Sequence, residues 1–207
     1  MKSSNKHSGR IASLGRRARV GLAAGRQRGF TLIELAIVGV IITIVMVLAM
    51  PSVKAKIIES KTPTVAGELQ QAVVRINGSR ASMGTAPYGT IAIAELGQVL
   101  RNTSFTITGA PPTAVQHSLG TDAGVAAVTV APATLNAAND SFTVTLAEVH
   151  RAACSGLAVT LSGYAEVISL TPNGGGATVL KAAGGVYDPA LALSNCGERN
   201  TLAFTFT

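Results

Sequence analysis

The sequence predicts an α+β protein. A long N-terminal α-helix, its first half transmembrane, packs through its second half on a C-terminal head of antiparallel β-sheet with extra helices. Three observations predict this. An apolar run of 21 residues, Phe30 to Met50, carries a single formal charge, Glu34. Beyond it Val65, Leu69, Val73 and Ile76 keep 4-4-3 spacing, one face of an amphipathic helix. From about Ala86 onward the helical period gives way to short helix-like and strand-like pieces separated by turn residues.

The segment before the apolar run cannot build a core. Of the 17 Lys/Arg in the 207-residue chain, eight lie in residues 1–29, which contain no acid. Nine remain against 10 Asp/Glu, so a chain starting at Phe30 has a formal side-chain charge of −1 in place of +7. The basic excess belongs to a leader. A folded basic surface is not indicated, and no specific nucleic acid is expected as a partner.

The apolar run spans about 31 Å as a helix at 1.5 Å per residue, the thickness of a bilayer's hydrocarbon core, about 30 Å. Lys/Arg before the span and a long polar domain after it predict the N-terminus in the cytoplasm and the rest outside. The helical pattern continues past Pro51, with Glu59, Lys61, Glu68 and Arg75 at polar positions, and ends near Gly78 to Gly84. Pro51 and Pro63 are each expected to kink or interrupt it, because proline lacks the N–H donor and crowds the preceding turn. Thr31 and Thr43 are expected to bond back to helix carbonyls, and Gly39 to permit close helix approach. The resulting organisation is a basic leader over 1–29, a membrane helix over 30–50, its amphipathic continuation over 51–82 and a head over 83–207.

In the head, residues 91–102 read as a short helix and 103–108 as a strand. Residues 126–132 and 141–146 read as strands, and 147–162 as a helix with Val149, Ala152, Ala153 and Leu157 on one face. The segments AEVISLTP and ATVLKAA flank the turn NGGG at 173–176 and predict a hairpin. TLAFTFT closes the chain as a strand.

Little in this sequence points to catalysis. His7, His117 and His150 are scattered, and no HExxH, GxSxG or P-loop pattern is present, so no catalytic residue, metal or cofactor is expected. His117 near Asp122 reads as a loop pair, and the glycines at 174–176 as a turn. With no Trp and 4% aromatic residues, base-stacking platforms are not expected. Asn77, Asn102 and Asn139 each begin an Asn-X-Ser/Thr pattern. Cys154 and Cys196 lack CxxC spacing. They read as one disulfide if the domain reaches an oxidising compartment, and as two buried thiols otherwise.

Three readings compete for the apolar run. A secretory signal wants a shorter core and a small-residue exit, whereas Val47-Leu48-Ala49 is followed by Met50-Pro51. A plain anchor, as in a membrane-tethered periplasmic binding protein or enzyme, explains the length but neither Glu34 nor the Gly29-Phe30 junction. That junction, the run FTLIELAIVGVII, Glu34 four residues after Phe30 and the closing proline resemble the N-terminus of the type IV pilin family. The resemblance implies the type IV pilin fold and a structural, non-enzymatic subunit. It implies cleavage after Gly29 by a prepilin peptidase and N-methylation of Phe30. It also implies export across the bacterial inner membrane with the head in the periplasm, then assembly with copies of itself into an extracellular fibre. An inner-membrane assembly platform and an outer-membrane secretin would be the further partners.

The residues supply their own logic for that reading. Gly29 lets bare backbone enter a tight protease site. An ionised Glu34 in apolar surroundings costs several kcal/mol unless paired. Cleavage creates a cationic amine on Phe30, and pairing the two, within or between subunits, would neutralise both and favour one stagger. The long leader, the large head and the ending NCGERNTLAFTF look more like the type IVb branch, from which Phe30 as first residue departs. Cys154 and Cys196 sit where such pilins carry a disulfide-bounded region. A minor pilin or a type II secretion pseudopilin would share the same N-terminus.

Overall fold

A computed structural model describes residues 29–120 and 126–207. The expected leader, save Gly29, and Asp122 lie outside the described residues. The chain divides into two compact units, Met1–Ile44 and Val45–Thr207.

In the first unit the described residues are Gly29 to Ile44. Helix α1 starts at Leu32 and runs to Arg80, which takes it well into the second unit. It ends inside the expected region. Pro51 and Pro63 do not interrupt the helix: helical backbone continues through both. Each proline removes one N–H from the ladder, and the many bonds on either side hold the helix through a single gap.

In the second unit the head is built on α1. Ile58, Thr62, Val65, Ala66, Leu69, Ala72, Val73, Ile76 and Arg80 are buried. The 4-4-3 stripe read from the sequence is therefore the face the head covers. Short helix α2 (Ile93–Val99) follows, then β1 (Thr106–Thr108), β2 (Ala114–Gln116), β3 (Ala127–Ala133) and β4 (Ser141–His150). Helix α3 (Arg151–Leu161), β5 (Val167–Pro172), β6 (Thr178–Lys181), α4 (Pro189–Asn195) and β7 (Arg199–Phe206) complete the chain. The strands form one sheet in the order β1-β2-β3-β4-β7-β5-β6, every adjacent pair antiparallel. The last strand is thus an interior strand of the sheet, between β4 and β5.

The alternation of TLAFTFT explains that position. Leu202, Phe204 and Phe206 are fully buried and share the core face with Phe142, Val144 and Leu146 of β4. Their rings lie 5.6 Å apart for Phe142–Phe206 and 6.4 Å for Phe204–Phe206, with Tyr88 4.8 Å from Phe142. Each such buried side chain contributes roughly 1.5–3 kcal/mol.

The sequence reading of 147–162 as one helix needs correction. Residues 147–150 complete β4, and the helix starts at Arg151. Val149 is buried in the sheet, and His150 is the helix N-cap, its Nδ1 accepting from the N–H of Ala152 at 3.0 Å. An imidazole cap is absent from the usual signature of Ser, Thr, Asp or Asn. The buried face of α3 is Ala153, Cys154, Leu157, Ala158 and Leu161. A Cβ on Gly156 would stand 3.4 Å from Thr62 Cγ2, in van der Waals contact where α3 passes α1. The expected hairpin is β5–β6, whereas β2 and α4 were not foreseen.

Candidate assembly site

The functional residues expected from the sequence cluster at the start of α1. Gly29, Phe30 and Thr31 precede the first helical residue, so the Gly29–Phe30 peptide is outside the hydrogen-bonded ladder. A Cβ on Gly29 would meet nothing within 4 Å, and Phe30 is 79% exposed. The junction is therefore accessible as unwound backbone.

Thr31 was expected to bond back to helix carbonyls; the structure gives it a different task. It caps the helix, its Oγ1 accepting from the N–H of Glu34 at 3.3 Å, while its carbonyl accepts from Leu35 at 3.1 Å. Thr31-Leu32-Ile33-Glu34 is the T-x-x-E pattern of a capping box, and Phe30 and Leu35 occupy the two positions of a hydrophobic staple. Sequence reasoning missed this, although the signal was present in four letters. Glu34 in the first turn also meets the positive end of the helix dipole. Thr43 does bond back, donating to Val40 at 2.8 Å and to Gly39 at 3.2 Å.

What most distinguishes this region is the absence of cover. From Leu32 through Lys54 every described side chain is exposed, and the most apolar 18-residue window has a mean hydropathy of 2.9 with none of it buried. Leu32 is 89% exposed and Leu48 74%. Among the described residues the Glu34 carboxylate has no hydrogen-bond or ion-pair partner. A contiguous apolar face of this extent needs lipid or other apolar helices around it. An apolar N-terminal helix of this kind fits membrane anchoring followed by assembly.

Several of the head's polar groups are occupied by structure. Arg80, at the end of α1, donates through Nε to Glu95 at 2.9 Å and through Nη2 to the same carboxylate, and through Nη1 to the Pro87 carbonyl at 2.6 Å. The guanidinium thus pins the connection 81–92 to α2, and its pKa is raised, chiefly by the hydrogen bond to Glu95. His117 Nε2 lies 2.8 Å from the Ala147 carbonyl, and its Nδ1 accepts from Leu119 N–H at 3.2 Å. Only the neutral ring satisfies both. Burial pushes its pKa down, against a smaller upward pull from the Ala147 carbonyl. Asp140 accepts from the N–H groups of Leu135, Asn136 and Ala137, each at 2.8 Å, which lowers its pKa to about 2. His117 and His150 each hold backbone in place. Among the described residues no three His, Cys, Asp or Glu side chains gather as metal ligands. Cys154 of α3 and Cys196, which follows α4, are joined by a disulfide with Cα atoms 6.0 Å apart.

Comparison with known proteins bears on these features. The prokaryotic N-terminal methylation motif matches residues 25–50. A family described as PilS N terminal matches residues 89–207, more than half of the chain. No curated protein matches. Among solved structures, the chain is similar to the crystal structure of the type IV b pilin from Salmonella typhi, at 20% identity and TM-score 0.44 over 65% of this chain and 92% of that one. It is similar to TcpA, a type IV pilin from Vibrio cholerae El Tor biotype, at 14% identity and TM-score 0.49 over 72% and 99%. It is also similar to the NMR structure of the type IVb pilin PilS from Salmonella typhi, at 19% identity and TM-score 0.43 over 70% and 95%. With the methylation motif at its N-terminus and the PilS match over its head, the chain belongs to the PilS family of type IV pilins.

Proposed function

We propose that this chain is the precursor of a pilus subunit, cut after Gly29 by a prepilin peptidase and N-methylated on Phe30. The mature subunit then polymerises with copies of itself through the apolar half of α1. Before assembly that half lies in the inner membrane, with the leader in the cytoplasm and the head in the periplasm. An assembly platform in the inner membrane and a secretin in the outer membrane are its further partners. The end state is an extracellular fibre.

The single observation that carries this reading is the combination at the start of α1. A charged carboxylate, Glu34, lies in an otherwise apolar uncovered stretch, directly after an unwound, accessible Gly29–Phe30 peptide. Removal of residues 1–29 leaves a cationic amine on Phe30, one helical turn from Glu34. Whether the amine comes from the same subunit or a neighbour, pairing removes the cost of two uncompensated charges in the fibre core. The three free N–H groups of the first turn add to the pull on the carboxylate.

Mutation separates processing from assembly. Glu34→Ala or Glu34→Val leaves cleavage intact and abolishes fibres, read by mass spectrometry of the subunit and electron microscopy of the cell surface. Abundant normal fibres with either variant would refute the pairing. Gly29→Ala slows cleavage and bulkier residues slow it further; normal processing with a large residue at position 29 would refute the assigned junction.

A further inference from the structure

The chain contains two Asn-Gly steps, Asn77-Gly78 and Asn173-Gly174, and the structure treats them oppositely. We propose that Asn173 is a site of spontaneous backbone-assisted deamidation and that Asn77, with the same Asn-Gly step, is protected.

The chemistry needs three things. The side-chain amide carbon must be free to rotate towards the backbone nitrogen of the next residue. That nitrogen must be unhindered, as glycine's is, and the connecting peptide must be able to turn. The glycine nitrogen loses its proton to solvent and attacks the asparagine Cγ. The Cγ–Nδ2 bond breaks and ammonia leaves, giving a five-membered cyclic imide. Water then opens the imide at either carbonyl to give aspartate or isoaspartate. Water is the sole co-reactant, and no oxidant or reductant is required.

Asn173 meets these conditions. It lies in the turn between β5 and β6, exposed, followed by three glycines. Its backbone N–H is anchored to the Arg199 carbonyl at 2.9 Å, and the turn closes with Gly175 N–H on Pro172 O at 2.9 Å. Its side-chain amide has no hydrogen-bond partner among the described residues. Gly174 has φ +81° and its surroundings are open, with nothing within 4 Å of a Cβ placed there. The attacking nitrogen donates no backbone hydrogen bond among the described residues.

Asn77 fails all but the sequence condition. It sits inside α1, so the Gly78 peptide is held in helical geometry. Its Nδ2 donates to Thr207 O at 2.7 Å and its Oδ1 accepts from Tyr88 Oη at 2.9 Å. Both side-chain atoms would have to release their partners, and the helix would have to open, before Gly78 N could reach Cγ.

The inference does not depend on fibre assembly; it concerns the folded head. Each event replaces a neutral amide with a carboxylate at the β5–β6 turn. Subunits outside the cell would accumulate this negative charge with age.

The test incubates the purified full chain in detergent in mildly alkaline buffer and follows both sites by peptide mapping. A parallel sample is held in concentrated urea. In the folded chain Asn173 should convert at least about thirtyfold faster than Asn77, two ordinary hydrogen bonds' worth of protection. In urea the two rates should converge, since the local sequences match at the reacting residues. Equal rates in the folded chain, or faster conversion of Asn77 than of Asn173, would overturn the proposal. So would a rate ratio that persists in urea, because fold would then not be its cause. Gly174→Ala, which hinders the nitrogen, should slow conversion at Asn173 and leave Asn77 unchanged; an unaltered Asn173 rate would also count against the mechanism.

Discussion

Helix α1 carries two stretches of similar helical backbone that have opposite relations to their surroundings. From Leu32 through Lys54 no side chain is covered, although most are aliphatic. From Ile58 to Arg80 the same kinds of residue alternate between buried and exposed, and Ala66, Leu69 and Ile76 are fully buried. Composition separates the halves less than pattern does. The first is apolar on every side, as suits a helix whose surroundings are apolar on every side; the second is amphipathic, as suits a helix with a core on one side and water on the other. One half is covered within the chain, and the other has no cover among the described residues.

That contrast can be strained by mutation, beginning with the head. Replacing Cys154 and Cys196 by alanine opens a link between residues 42 apart and should lower head stability by about 4 kcal/mol. Urea denaturation of the full chain in detergent, with and without reductant, measures it. A loss below about 1 kcal/mol would mean that the core holds α3 and the α4 region together without the link.

Next in size, Leu69→Ala should destabilise the head by about 3 kcal/mol, whereas Ile41→Ala should leave its denaturation midpoint within about 0.5 kcal/mol of the parent. Equal effects from the two substitutions would erase the distinction between the halves.

Arg80→Ala should cost about 2 kcal/mol, because the guanidinium is buried and its loss strands the Pro87 carbonyl and the partly exposed Glu95 carboxylate. Hydrogen exchange of residues 81–92 should rise with it. Unchanged exchange there would show that the connection is held by other contacts.

The smallest effect is a pH dependence. His117 has a folded-state pKa below its unfolded value, so the unfolded chain binds the extra proton first as pH falls. The stabilisation from the neutral ring is complete above about pH 6.5 and declines below it, through the lowered folded pKa. His117→Asn, which keeps an acceptor near Leu119 and cannot titrate, should flatten this part of the stability profile. An unchanged slope in the variant would place the titration elsewhere.

Much of the fold was legible because it is written in period. The stripe Val65, Leu69, Val73, Ile76 and the alternation of TLAFTFT name the buried faces directly, and the NGGG hairpin is marked by its turn. What escaped has physical reasons. Strand β2 has three residues, too few to show a period. Helix α4 has only seven residues, though Asp188-Pro189 announces it: the aspartate caps Ala190 and Leu191, and proline suits the first helical position. Residues 147–150 looked helical because Val149 falls in step with Ala153 and Leu157, while only the pairing of β4 with β7 fixes them as strand. At the candidate site Gly29, Phe30 and Glu34 are singled out by motif and charge alone. The capping role of Thr31 was overlooked because Glu34 had been given a single purpose. The structure shows that the same segment also starts the helix, so its sequence answers to two requirements.

The pairing of the Phe30 amine with the Glu34 carboxylate at the start of α1 is tested most directly by N-terminal sequencing combined with intact mass measurement, on the chain isolated from surface fibres of the producing cell. The prediction is a chain that begins at N-methylated Phe30 and lacks residues 1–29. A fibre subunit that retained residues 1–29 would contradict the account, because Glu34 would then face no newly made cation.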